Sequence, residues 1–322
     1  MVNLEKSILQ SGPARKLVNI SKRLVLPGFE GIVLYDVITF FRREIKNISL
    51  AERAAAISFN FLLAIPPFFI FLFTLVPFIP MKNIEPTLYE LAESLTPNYN
   101  TYIIVRDMIH DFLYTHRNGL LSIAFLTGYF YSSNAVMGIM RSFNKVQRGF
   151  RQRKWWQRRL LALQLTALLS FLLIIAVVLI VVQGKILGAI FDALHIQNAF
   201  IRSSIDAVRW ALIVLLFFSI IAVIYRFAPA TPKRWKFITP GSTLATVLMI
   251  LATLGFSFFV NNFGNYNKIY GSVGTILILM LWVFFNSFIL LVGFELNVGI
   301  QALKARSKTR EVANGLPAPS NA

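Results

Sequence analysis

The sequence predicts an all-α polytopic membrane protein with six transmembrane helices, both termini cytoplasmic and an N-terminal amphipathic helix at the membrane interface. Three observations predict it. Of 322 residues, 56% are hydrophobic and only 14% charged, against roughly a quarter charged in soluble domains. The apolar residues fall into blocks of about 20, the length needed to cross a hydrocarbon core of about 30 Å. The basic residues gather in alternate connections between those blocks.

Residues 1–28 are polar, basic and broken by Gly12, Pro13, Pro27 and Gly28, which predicts a flexible cytoplasmic lead-in. They hold Lys6, Arg15, Lys16, Lys22 and Arg23 but no continuous apolar core. They therefore do not read as a secretory signal peptide, and the segment is expected to stay in the mature protein. From Gly31 to Asn47, Leu34, Val37, Ile38, Phe41 and Ile45 recur at helical spacing, with Asp36, Arg43 and Lys46 elsewhere on the wheel. That pattern predicts a helix along the inner membrane surface.

The membrane domain spans 29–303, with apolar blocks at about 55–79, 119–140, 160–183, 207–227, 239–260 and 273–299. Between the first two, a loop with Glu85, Glu90, Glu93, Asp107 and Asp111 is expected to be partly helical and to cap one face. The basic tail 304–322 ends in Gly, Pro, Ser and Ala, a composition that predicts disorder.

The net charge is +18, which by itself suggests an anionic polymer as partner. Mapped onto six spans, 25 of the 32 Lys and Arg fall on the side of the N-terminus and seven on the other. This asymmetry is the positive-inside signal, and it orients the chain N-in and C-in in a plasma membrane. Anionic headgroups of the cytoplasmic leaflet are the expected partner, and no nucleic acid is required. Trp155 and Trp156 inside RQRKWWQRR (151–159), and Trp235 between Arg234 and Lys236, fit the headgroup boundary.

The chain resembles the YihY/BrkB membrane proteins, formerly labelled ribonuclease BN. The resemblance covers about residues 30–303 and is carried by YRFAPATPKRWKFITPGSTLAT (225–246) running into FGNYNKIYGSVGTILILMLWVFFNSFILLVGFELNVGI (263–300). AERAAAISFNFLLAIPPFFIF (51–71) and RQRKWWQRRLLAL (151–163) agree with it. Its specific elements are Tyr270-Gly271-Ser272, Trp282 and GFELN (293–297), with Phe294 where the family more often has Ala. The resemblance implies a six-helix bacterial inner-membrane protein and no particular activity.

Few residues offer chemistry. Glu295 is an acid within the last span, and such a residue is costly in lipid unless it is paired or faces water. Arg53, Arg226 and Arg141 lie at a similar depth, so Glu295 is expected to pair with one of them, with Arg226 or Arg53 preferred. The pair either locks helix ends or marks a substrate or proton path. Pro66-Pro67 is expected to kink or break the first span, with Asn60 on the cytoplasmic side of the break. Asn134, Gln164, Asn286 and Asn297 can bond across helices, and Gly138, Gly241, Gly255, Gly271, Gly274 and Gly293 permit close approach.

The segment NNFGNYNKIYGS (261–272) reads as an outer turn, with Tyr266, Asn267, Tyr270 and Gly271 as candidate gate residues. Asp107, His110 and Asp111 share a helical face, a spacing that arises often by chance, so no metal site is assigned. The absence of Cys excludes disulfides, thiolate zinc sites and iron–sulfur clusters. No serine-nucleophile elbow or phosphate-cradling loop occurs, so neither an enzyme nor a cofactor is expected. The sequence points to a transporter or lipid-translocating protein for an anionic or amphiphilic substrate. The alternative is an envelope scaffold; a membrane-bound ribonuclease is disfavoured.

Overall fold

The structure is a computed structural model and describes residues 19, 21–22, 24–25, 31–45, 49–75, 84–95, 99–114, 118–144, 153–181, 199–231, 234–262 and 265–313. Among these residues all regular structure longer than a turn is helical: α1 Leu34–Ile45, α2 Ser49–Leu75, α3 Ile84–Leu95, α4 Tyr99–Tyr114, α5 Asn118–Phe143, α6 Trp155–Val181, α7 Ala199–Phe227, α8 Pro240–Asn262 and α9 Asn265–Ala313. Within α2, α6, α7, α8 and α9 lie five stretches long and apolar enough to cross a bilayer: Ser49–Leu72, Trp155–Leu179, Ser203–Phe227, Pro240–Phe259 and Ile276–Arg306. The protein is thus a polytopic helical membrane protein. The block at 119–140 is also a long helix, α5, but its described part is interrupted by Thr127, Ser132, Ser133 and Asn134 and it is not among those five.

The long helices alternate in direction. Arg53 near the start of α2 meets Ser142 at the end of α5, Arg153 before α6 meets Phe227 to Pro229 after α7, and Gly241 at the start of α8 meets Asn297 of α9. These ends form one basic end of the bundle, and the core is concentrated there. Leu50, Ala54 and Ile57 of α2, Met140 and Phe143 of α5, Ala162 and Leu165 of α6, Ile221 and Tyr225 of α7, Ala245 of α8, and Leu291 and Phe294 of α9 are all buried in it. Elsewhere the helices present Phe59, Leu63, Phe171, Leu215, Leu254 and Phe258 outward, as lipid-facing surfaces do.

Helix α2 packs chiefly along α5, and two glycines set the approach. A Cβ on Gly138 would lie 2.7 Å from Asn60 Cβ, and one on Gly128 would lie 2.9 Å from the Pro67 carbonyl oxygen. Contrary to the expected break, α2 runs unbroken through Pro66 and Pro67. The neighbouring helix approaches this turn at Pro67, whose carbonyl lies against Gly128.

Two further expectations are corrected. The segment 261–272 is not an extended turn: α8 runs to Asn262 and α9 already begins at Asn265. Asn is as good a helix cap as it is a turn former, which is why composition misleads here. Tyr266, Asn267, Tyr270 and Gly271 lie in the first turns of α9, and their side chains fall outside the described residues. The tail is helical through Ala313 rather than disordered from 304; no Gly or Pro occurs between Gly299 and Gly315, and Ala, Lys, Arg and Glu favour helix. Residues 314–322 and nearly all of 1–28 lie outside the description.

Helix α1 forms where expected, but its apolar face meets protein. Val37 is buried with Leu296 and Ile300 of α9, flanked by Ile32, Leu34, Leu244 and Leu303. It therefore docks on the extension of α9. Helices α3 and α4, the expected helical loop, pack on each other, with α4 also touching α2.

Candidate functional site

Glu295 is 1% exposed, and its Oε1 accepts a hydrogen bond from Arg53 Nη1 at 2.7 Å. Of the two preferred partners, the structure selects Arg53. The same guanidinium donates through Nε to the Ser142 carbonyl at 2.8 Å and through Nη2 to the same oxygen, so one arginine ties α2, α5 and α9 together. The Ser142 carbonyl is one that the end of α5 leaves without a helical donor. Arg226 instead lies over the Phe237 ring at 4.4 Å, and Arg141 is exposed.

The residues around Glu295 each hold a different neighbour. Gly293 lies against the Gly241 backbone and the Tyr225 hydroxyl, where a side chain has no room. Phe294 stacks on Phe143 with centroids 4.1 Å apart and planes inclined by 3°, and Trp235 covers it at 5.6 Å. The Tyr225 hydroxyl donates to the Leu290 carbonyl at 2.7 Å. Asn297 accepts from the Gly241 amide at 2.9 Å, satisfying one donor at the start of α8 that has no intrahelical partner, and donates to Thr239 Oγ1 at 3.0 Å. Residues 293–297 thus form a brace across α2, α5, α7, α8 and α9, close-packed around a single buried charge pair.

The described part of the basic run, 153–159, divides between exposed and inward-turned residues. Trp155 and Trp156 are exposed, as the headgroup reading requires. Arg153 instead turns inward, donating to the carbonyls of Phe227, Ala228 and Pro229 at 3.4, 3.0 and 2.9 Å. Burial, with the nearby Arg234, lowers its pKa from the usual arginine value, while the α7 end it caps suits a cation. Arg159 donates to Ser133 Oγ and Asn134 Oδ1 at 3.1 and 2.8 Å and lies over Phe130. Trp235 is buried rather than at the boundary, because Phe294 provides an apolar partner.

Away from the brace, an apolar cleft of about 440 Å³ lies between α8 and α9, walled by Ala252, Gly255, Phe256 and Phe259 on one side and Leu281, Trp282, Phe285 and Asn286 on the other. Nothing stands within 4 Å of where a Gly255 Cβ would be. Asn286 donates to the Trp282 carbonyl at 2.8 Å, one turn back in its own helix. Neither Glu295 nor Pro66 lines this cleft. Asn60 likewise bonds locally, to the Ala56 carbonyl at 2.7 Å. On α4, His110 Nδ1 lies 3.3 Å from the Tyr89 hydroxyl and 3.7 Å from Glu85, while Asp107 pairs with Arg106. The structure therefore does not bring Asp107 and His110 together on a common ligand.

The model of the virulence factor BrkB family matches residues 41–315, a range that contains the ion pair, the brace and the cleft. The chain belongs to the BrkB family. Among relatives, it is 29% identical over 262 residues to YfkH of Bacillus subtilis, a protein whose name calls it ribonuclease-like, covering 80% of this chain and 94% of that one. It is 25% identical over 259 residues to a UPF0761 membrane protein of Tolumonas auensis, covering 80% and 82%. A UPF0761 membrane protein of Xanthomonas campestris is 32% identical over 98 residues, 30% of this chain and 23% of its own length. No solved structure matches the chain.

For this BrkB protein, the sequence singled out the acid and, as one of two preferred candidates, its partner Arg53, and missed the rest of the brace. Ser142 acts through its carbonyl, which no side-chain pattern reveals. Arg153 was hidden in a run of like charges. Asn297 stood out as a polar residue in an apolar block, yet only the fold shows that it caps α8.

Proposed function

We propose that this BrkB-family protein is a transporter of the bacterial inner membrane that translocates an anionic amphiphile, with six spans and both termini cytoplasmic. The observation that carries the reading is the cleft between α8 and α9. Its volume of about 440 Å³ lies within the range of small-molecule sites, about 300–1,000 Å³. Its aromatic and aliphatic wall with Asn286 suits an acyl chain or similar apolar group. At the basic end, Arg141, Arg158, Arg226 and Arg234 have no ion pair with a described carboxylate, so they raise the local concentration of anions and anionic headgroups. Glu295 is assigned no chemical step, because it is buried and bound to Arg53.

The test is reconstitution into vesicles of phosphatidylethanolamine and phosphatidylglycerol, followed by transbilayer movement of labelled phospholipids and organic anions. Gly255→Leu projects into the cleft from a position where a Cβ meets nothing within 4 Å; it is expected to leave folding intact and to slow movement at least about tenfold, a rise of about 1.4 kcal/mol in the barrier. Absence of movement for every substrate class would remove the proposal. The close packing around Glu295 favours a second reading, an envelope scaffold. For a scaffold, Gly255→Leu has no effect, and disruption of the brace alone abolishes partner recovery.

A further inference from the structure

Several of the described arginines are partly withdrawn from solvent within or beside the helices; Arg53, Arg153 and Arg159 hold acceptors there, while Arg158, Arg159 and Arg226 each leave only Nε buried without one. Arg53 bonds to Glu295 and the Ser142 carbonyl, Arg153 to three carbonyls, and Arg159 to Ser133 and Asn134. Arg209 on α7 is different. It is 5% exposed, yet Nε, Nη1 and Nη2 are all buried without a hydrogen-bond partner. The nearest acid is Asp206, one turn earlier, whose Oδ1 lies 3.4 Å from Nη1 without forming a hydrogen bond and whose side chain is 52% exposed. The Trp210 ring is 5.7 Å away.

Arginine does not escape this position by losing its proton. A guanidinium withdrawn from water without acceptors is strongly unfavourable. Nor does it reach the headgroups as a snorkelling side chain would, since the charged nitrogens themselves are buried. Asp206, half-solvated and 3.4 Å away, is a weak partner for such a group. A planar fork of donors matches the paired oxygens of a phosphate.

The position supports the same chemistry. Arg209 lies 18 residues before Phe227 on α7, about 27 Å from the basic end at 1.5 Å per residue. Gly255 and Phe259 of the cleft lie about 22 and 28 Å along the adjacent α8 by the same rise. Arg209 is thus level with the cleft, at the end of the bundle remote from Glu295.

We infer that Arg209 is an oxyanion site that binds a phosphate group. This goes beyond the translocation reading, because a buried guanidinium with no hydrogen bond and only a weak ion pair calls for an acceptor whether or not cargo crosses the membrane. The phosphate belongs to a lipid headgroup or to a free anion, and the two are separable. Full-length protein, delipidated in a neutral detergent, is mixed with dioleoyl phosphatidylglycerol, with dioleoylglycerol lacking the phosphate, or with inorganic phosphate. Thermal unfolding and native mass spectrometry report binding.

The wild type is expected to be stabilised by phosphatidylglycerol and not by dioleoylglycerol, and to retain one more tightly held phosphatidylglycerol than Arg209→Gln. Affinity should fall about tenfold or more in Arg209→Gln, the scale of a lost charged hydrogen bond, and partly recover in Arg209→Lys. Protection by inorganic phosphate alone assigns the site to a free anion; protection by the lipid alone assigns it to a headgroup. Arg106→Gln, at an exposed and already paired arginine, controls for diffuse attraction. Equal binding by wild type and Arg209→Gln in both arms overturns the inference. Should Arg209→Gln not fold, the wild type against Arg209→Lys decides: identical affinities for both probes overturn it equally. The site is read by binding, so its failure leaves the vesicle result untouched.

Discussion

Removing either partner of the Arg53–Glu295 pair should have unequal consequences. Glu295 is 1% exposed and Arg53 19%, so Arg53→Ala strands a carboxylate with almost no access to water. Breaking a buried pair in this way costs about 3–5 kcal/mol. Glu295→Ala leaves Arg53 its bonds to the Ser142 carbonyl and some solvent, so about 2–3 kcal/mol is expected. Glu295→Gln keeps an oxygen acceptor for Nη1 at 2.7 Å and loses chiefly the excess strength of a charge-assisted bond, about 1–2 kcal/mol. The double substitution Arg53→Met with Glu295→Met removes both charges and should be much less damaging than the sum of the singles, with a coupling of about 2–3 kcal/mol. Reversible unfolding in mixed detergent micelles measures the cycle. Additive single effects, or an Arg53→Ala milder than Glu295→Ala, would refute the brace. A Glu295→Gln protein of unchanged stability that had lost transport would instead make Glu295 a substrate or proton group.

Three other outcomes follow from the same end of the bundle. Gly293→Val should abolish or severely reduce folded protein in size-exclusion chromatography, because even a Cβ there meets the Gly241 carbonyl and the Tyr225 hydroxyl, and overpacking on this scale exceeds about 3 kcal/mol. Asn297→Ala removes the acceptor of the Gly241 amide and the donor to Thr239; a loss of about 1–2 kcal/mol is expected in the same unfolding assay. Arg153→Ala strips the donor from three carbonyls after α7 and should raise protease cleavage near residues 228–231, while Arg153→Lys restores part of the protection.

Much of the outline was legible in one dimension. Hydropathy sums locally along the chain, so apolar blocks found α2, α6, α7, α8 and α9. The polar interruptions in α5 weaken the same signal in a helix whose glycines and serines serve contact with α2 and its own backbone. Helix ends were less legible. Asn265 starts a helix where composition suggests a turn, and the tail continues because nothing interrupts it before Gly315.

Sequence alone determined that this protein enters a membrane, where its basic residues gather, and that Glu295 must find a partner, because lipid penalises any charge regardless of its neighbours. It also set the depth of Arg53 and Arg226, since residues count off at a fixed rise along a helix. Only the tertiary structure decided between them. The choice depends on the angle at which each side chain leaves its helix and on which helices touch, and neither is a local property of the chain. The same holds for the buried face of Trp235 against Phe294 and for Arg209, which counts as an ordinary cation in the sequence and in the fold is enclosed with no hydrogen bond and only a weak ion pair to Asp206.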